Sequence, residues 1–96
     1  MYTELKIAVV LPAYNVHRQI VKCIDGFPDI VTDIIVVDDN CPHKSGDIAR
    51  TTTVKPKQML HIIKHKNNKG VGGAVISGYK KALELKCSFI IKIDGD

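Results

Sequence analysis

The 96 residues are one small domain or part of one, a size at which folding buries only about 60–65% of the surface the unfolded chain exposes. Hydrophobic residues at 45% and charged residues at 25% match ordinary globular proteins and suggest neither disorder nor membrane residence. The formal charge of +4 comes from scattered lysines with a denser patch at Lys64, Lys66 and Lys69. The five aromatics (Tyr2, Tyr14, Phe27, Tyr79, Phe89) are not interleaved with that patch, so a small anionic ligand is expected and a nucleic-acid partner is not.

Residues 1–6 carry one acid and one base, and no small-residue cleavage site follows the apolar run after them. No secretory signal is read, and cytoplasmic residence is expected. That run, residues 7–13, is too short for a transmembrane segment, and no membrane span is expected in this stretch. Its continuous apolar character predicts a central parallel strand buried on both faces, ended by Pro12, with Ala13, Tyr14 and Asn15 in the following loop. Ile20, Val21, Ile24 and Phe27 recur at helical spacing and predict a helix over residues 17–27, closed by Gly26 and Pro28. A second strand is predicted over 33–37, ending in Asp38, Asp39 and Asn40.

Ser45 is a reasonable N-cap for a short helix through Arg50. Residues 59–65 read as a third strand. On it His61 and His65 stand about 13 Å apart by the strand rise, too far to share a metal, and both are expected to be ordinary strand-edge residues. A glycine-rich loop, residues 67–74, leads into the best-signalled helix, with Val75, Tyr79, Ala82 and Leu83 expected on its apolar face. Gly78, also on that face, predicts close packing of helix on sheet. In the last strand, 89–93, Phe89, Ile91 and Ile93 share one face, the pattern of a mostly buried strand, and Asp94-Gly95-Asp96 follows directly. Cys23, Cys41 and Cys87, odd in number and without paired spacing, are expected as reduced thiols.

The order β-α-β-α-β-α-β predicts an α/β fold with a parallel sheet and right-handed crossovers. In such folds ligands bind beyond the carboxyl ends of the strands, where Asp38-Asp39 and Asp94-Gly95-Asp96 both fall. The first turn lacks the Gly-x-Gly-x-x-Gly of dinucleotide enzymes, and the glycines at 70, 72 and 73 lack the Gly-Lys-Ser/Thr of a Walker A loop. Asp94 and Asp96, split by a glycine turn, are able to approach one hard cation.

Four motifs, Val10-Leu11-Pro12-Ala13-Tyr14-Asn15, Val36-Val37-Asp38-Asp39-Asn40, Asn68-Lys69-Gly70-Val71-Gly72 and Ile93-Asp94-Gly95-Asp96, together resemble family 2 glycosyltransferases over nearly all of the chain. The likeness is closest to the dolichyl-phosphate mannose synthase-like subgroup, with Asp-Gly-Asp in the place of the more usual Asp-Ala-Asp.

The resemblance implies the Rossmann-like, three-layer α/β/α nucleotide-binding half of a GT-A fold. Residues 1–96 would form the nucleotide-sugar-binding part of a catalytic domain, with the acceptor-binding half and the catalytic base expected beyond residue 96. It further implies that Pro12, Ala13 and Tyr14 line the base pocket and that Asp39 hydrogen-bonds the base, with Asp38 in support. Lys69 and Gly70 would lie beside the nucleotide. Asp94 would contact the ribose, and Asp94 and Asp96 would hold Mg²⁺ or Mn²⁺ on the diphosphate. The implied donor is a UDP- or GDP-linked sugar, and the implied acceptor is a polyprenyl phosphate or a saccharide. The implied setting is cell-envelope polysaccharide or glycolipid synthesis at the cytoplasmic face of a membrane.

Breaking an anomeric bond to a nucleoside diphosphate builds charge on the leaving group, which a Lewis-acidic cation stabilises, so these roles are chemically coherent. Two other readings are a non-catalytic nucleotide-binding α/β domain and a sugar nucleotidyltransferase, whose glycine-rich first loop with arginine is missing here.

Overall fold

The computed structural model describes residues 5–13, 20–39, 54–67 and 69–93. The elements are β1 (Ile7–Ala13), α1 (Ile20–Asp25), β2 (Asp33–Asp38), β3 (Met59–Lys64), α2 (Gly70–Glu84) and β4 (Phe89–Lys92). The strands form one parallel sheet in the order β3-β2-β1-β4. The helix expected between Ser45 and Arg50, and Cys41, lie outside the described residues. Among the described residues Cys23 and Cys87 are not joined in a disulfide.

Successive side chains of a strand point to opposite faces, and the two apolar central strands use both. Val9, Leu11, Ala13, Ile34 and Val36 pack with Ile20, Ile24 and Phe27 around α1, whereas Ala8, Val10, Ile35 and Val37 pack with Ala74 and Ala82 of α2. The two helices therefore cover opposite faces, which gives the expected three layers. Val21, placed on the apolar face of α1 by spacing, is 38% exposed. The carbonyl end of α1 is held from below: Lys55 Nζ donates to the carbonyls of Asp25 at 3.0 Å and Phe27 at 2.7 Å.

Pro12 does not end β1, which runs through it to Ala13. Along a parallel strand the backbone groups of alternate residues face alternate neighbours. Ala13 O accepts from Asp39 N of the β2 side, and Val10 O accepts from Ile93 N of the β4 side. Pro12 shares the parity of Val10, so its missing N–H faces β4, whose strand pairing with β1 stops at Val10 and Lys92. No ladder bond to β2 is lost, and a proline is tolerated there.

The helix α2 starts at Gly70, so the glycines at 70, 72 and 73 belong to its first turn rather than to a loop before it. Its buried stripe is Ala74, Gly78 and Ala82, not the stripe the larger apolar residues suggested: Tyr79 is 39% and Leu83 66% exposed. Three small residues at i, i+4 and i+8 let the helix axis approach the sheet, and larger side chains are turned aside. The close packing expected of Gly78 is present, since a Cβ there would fall on Val10. Strand β4 also departs from expectation. Phe89 and Ile91 are largely exposed, because among the described residues β4 pairs on one side, with β1, and the six-residue α1 packs over β1 and β2.

Candidate functional site

Strand order brings the site together. With β2 beside β3 in register Asp38↔Lys64, the residues that follow the two strands, Asp39 and His65, come out side by side at the carboxyl edge of the sheet. Asp39 is 4% exposed and its carboxylate is heavily engaged. Oδ1 accepts from His65 Nδ1 at 2.7 Å and from the Lys69 amide at 2.8 Å, and Oδ2 accepts from the Gly70 amide at 2.8 Å. Burial pushes this carboxyl up, but the hydrogen bonds from His65, Lys69 and Gly70 outweigh it and hold it below the usual carboxylate range.

The helix needs that acid. Lys69, at the N-cap, makes no side-chain cap, and the first turn of α2 contains no acidic residue. Two of the amides at the helix start, those of Lys69 and Gly70, and the positive end of the helix dipole are satisfied from outside by Asp39. Gly70 reaches this position with φ +79, a left-handed conformation that side-chain-bearing residues rarely adopt, which explains glycine there.

His65 is the residue sequence reasoning missed. It is a buried connector and not an ordinary strand-edge residue: its ring is 6% exposed, and its Nε2 lies 2.8 Å from Ser77 Oγ on α2. A strand-end histidine one residue beyond a β3 register partner of Asp38 was the available signal, but it is readable only once the strand order is known.

Of the other residues named from sequence, Ala13 is buried at the end of β1 and Pro12 is half-buried beside it, on the β4 side. Lys69 is exposed and its amide donates to Asp39, and Gly70 is brought to the same carboxylate. Asp38 is buried and ends β2. Tyr14, Asp94 and Asp96 lie outside the described residues. The pairing of β1 with β4 on one side and β2 on the other makes the gap between β1 and β4 the topological switch point of the sheet, and Pro12 borders it. Among the described residues no cluster of three or more His, Cys, Asp or Glu is arranged to hold a metal. No described helix is long and apolar enough to cross a membrane.

The other pole of the sheet holds a second polar cluster, and it corrects the reading of His61. Asp33, 2% exposed at the start of β2, meets His61 Nε2 at 3.0 Å, accepts from Thr32 Oγ1 at 2.8 Å, and has Lys6 Nζ at 3.8 Å. Burial raises its carboxyl, but the hydrogen bonds from His61 and Thr32 and the Lys6 charge bring it below the usual range. Burial, then the Asp33 charge, pushes the neighbouring Cys87 thiol up, which makes it a poor nucleophile.

A carboxyl whose pKa is lower folded than unfolded stabilises the fold above its unfolded value, about 3.9, and loses that contribution as pH falls through the folded value. The melting temperature is therefore expected to hold from neutral pH to about pH 5 and to fall below about pH 4 as Asp33 and Asp39 protonate. Asp33→Asn should cost about 1–3 kcal/mol at pH 7 and flatten that acid limb, as read by thermal melts across pH. An unchanged acid limb would assign it to other groups.

The sequence matches the glycosyl transferase family 2 profile over residues 8–96. It is 33% identical over 88 residues, 91% of the chain, to an uncharacterized protein of Methanocaldococcus jannaschii. It is 28% identical over 94 residues, 96% of the chain, to an undecaprenyl-phosphate mannosyltransferase of Micrococcus luteus. It is 33% identical over 102 aligned positions, 94% of the chain, to a UDP-N-acetylglucosamine–dolichyl-phosphate N-acetylglucosaminyltransferase of Methanococcus voltae. The matched region spans 38%, 38% and 41% of the lengths of these three relatives. With the parallel sheet, the helix-capping acid at its carboxyl edge and this match, the chain belongs to glycosyl transferase family 2.

Proposed function

We propose that the chain is the donor-binding part of a glycosyltransferase that moves a sugar from a nucleoside diphosphate to an acceptor with the help of a divalent cation. The observation that carries this reading is the buried Asp39 carboxylate at the carboxyl edge of the sheet, next to the end of β1 and fixed by the first amides of α2. A carboxylate so held is a preorganised acceptor for a base N–H, with Pro12, Ala13 and Tyr14 as the adjoining wall. Lys69, exposed at the start of α2, is a cation at that edge for a ligand's negative charge. Asp94 and Asp96, which follow β4, are the proposed oxygen ligands for Mg²⁺ or Mn²⁺, with Asp94 also toward the ribose. Bound there, the cation supplies Lewis-acid stabilisation of the leaving diphosphate. The names of the Micrococcus and Methanococcus relatives support a polyprenyl phosphate as acceptor, and with it work at a membrane surface, here proposed to be the cytoplasmic face. No residue of the chain is assigned as the base that deprotonates the acceptor.

Two carboxylates alone leave an octahedral ion mostly hydrated, so metal and nucleotide should bind cooperatively. Nucleoside diphosphate with Mn²⁺ is expected to raise the melting temperature by more than the two separate effects sum to, and Asp96→Asn should remove that excess. An excess that survives in Asp96→Asn, or never appears in the parent, would make the Asp94-Gly95-Asp96 turn merely polar.

A further inference from the structure

We infer that the pocket selects a uridine over a guanosine nucleotide, with His65 as the positioning residue that sets the preference; this rests on the reading of Asp39 as the base contact. An ionised carboxylate offers about four acceptor directions, two on each oxygen. Both directions of Oδ1 are taken, by His65 Nδ1 and the Lys69 amide, and one of Oδ2 is taken by the Gly70 amide. Among the described residues one direction is left, on Oδ2.

The pairing edge of uracil carries a single donor, N3–H, between two carbonyl oxygens, and one acceptor satisfies it. Guanine carries two adjacent donors, N1–H and N2–H, the match for a carboxylate with both oxygens open. Here the second donor would meet Oδ1 with its capacity spent, and a desolvated donor without an acceptor is costly. Cytosine and adenine set a ring-nitrogen lone pair beside their amino group, which the carboxylate charge repels.

His65 is what closes Oδ1. Its Nδ1–H donates to the ionised Asp39, and its Nε2 faces the Ser77 hydroxyl, which is able to donate to a neutral ring or accept from a charged one. The clamp therefore holds in either charge state of the ring. Its position is fixed between a strand end and α2, and with 5% of the Asp39 side chain exposed there is little room for the carboxylate to turn and present another edge.

The test is calorimetric titration of the protein with UDP and with GDP in the presence of Mn²⁺. UDP is expected to bind about ten-fold more tightly. His65→Asn, whose amide nitrogen stands near the position of Nδ1, should keep that ratio. His65→Ala opens a direction on Oδ1 and should bring the ratio toward one. General loosening of the fold lowers both affinities together, so the ratio reports the hydrogen-bond inventory and not stability. GDP binding as tightly as UDP, or a ratio unmoved in His65→Ala, overturns the inference. If His65→Ala does not fold, the ratio of the parent and of His65→Asn decides. If GDP matches UDP while Asp39→Asn weakens both, the base contact stands and only the uridine preference falls. Binding of neither nucleotide overturns the donor-site reading along with it.

Discussion

Asp39→Ala is expected to destabilise the fold by about 3 kcal/mol and to abolish measurable nucleotide binding. Sequence alone presents Asp39 as a ligand contact whose removal leaves the fold intact. In the structure the same carboxylate joins three segments: the end of β2, His65 after β3, and the first amides of α2. Alanine leaves the buried His65 Nδ1 without its acceptor and strips the capping carboxylate from the positive end of a 15-residue helix whose own first turn carries no acid. The Lys69 and Gly70 amides lie near the surface and recover water, so the His65 term dominates. Against a total stability of about 5–14 kcal/mol for a domain of this length, such a loss is large. Urea unfolding should show a lower midpoint at unchanged slope, and Asp39→Asn, which keeps one acceptor oxygen, should lose less. Parent-like stability in Asp39→Ala would mean that the helix start is held by other groups.

The parts of the fold that sequence makes legible are those in which one physical requirement dominates. Residues 8–11 and 34–37 are apolar on both faces because a strand in the middle of a helix-covered sheet has no solvent side, and both are buried as that implies. Phe89 and Ile91 carry the same apolar signal, yet composition cannot tell a central strand from an edge strand, and among the described strands β4 is paired with β1 alone. On α2 the expected positions Gly78 and Ala82 are buried, but the large residues Tyr79 and Leu83 are not, because the contact is decided by how near two backbones can come, which favours Ala74, Gly78 and Ala82.

At the site, the acids and glycines announce themselves as strand-end residues, but the partnership of Asp39 with His65 depends on β3 lying beside β2. Nothing local in the chain encodes that adjacency. The same holds at the opposite pole, where Asp33 and His61 meet only because Asp33 and His61 sit on neighbouring strands and Thr32 and Lys6 converge on the carboxylate between them.

Gly78→Ala sets two effects of opposite sign against each other, and the distances decide between them. Helix propensity alone favours alanine by about 1 kcal/mol at an interior helix position. A Cβ built on Gly78, however, would lie 2.3 Å from Val10 Cγ1, with Cγ2 at 3.1 Å and Cβ at 3.2 Å. Ordinary carbon contacts are about 3.5–4.0 Å, so more than 1 Å must be recovered. Val10 is fully buried on a strand paired on both sides and cannot retreat. The helix must therefore move off the sheet, opening its contacts at Ala74 and Ala82 and drawing the Gly70 amide away from Asp39.

Overpacking of this kind costs about 1–3 kcal/mol net, and at about 4–8 °C per kcal/mol for a domain of this size the melting temperature should fall clearly. Nucleotide affinity should fall with it. Gly72, on the same helix with nothing within 4 Å of a built Cβ, supplies the contrast: Gly72→Ala should be neutral or slightly stabilising. Val10→Ala removes the two γ-carbons that obstruct the new methyl group, so the double variant should be more stable than the sum of the two single losses predicts. A melting temperature that rises in Gly78→Ala would show that the helix rides further from β1 than this packing requires, and would also remove the reason for α2 to hold its first amides against Asp39.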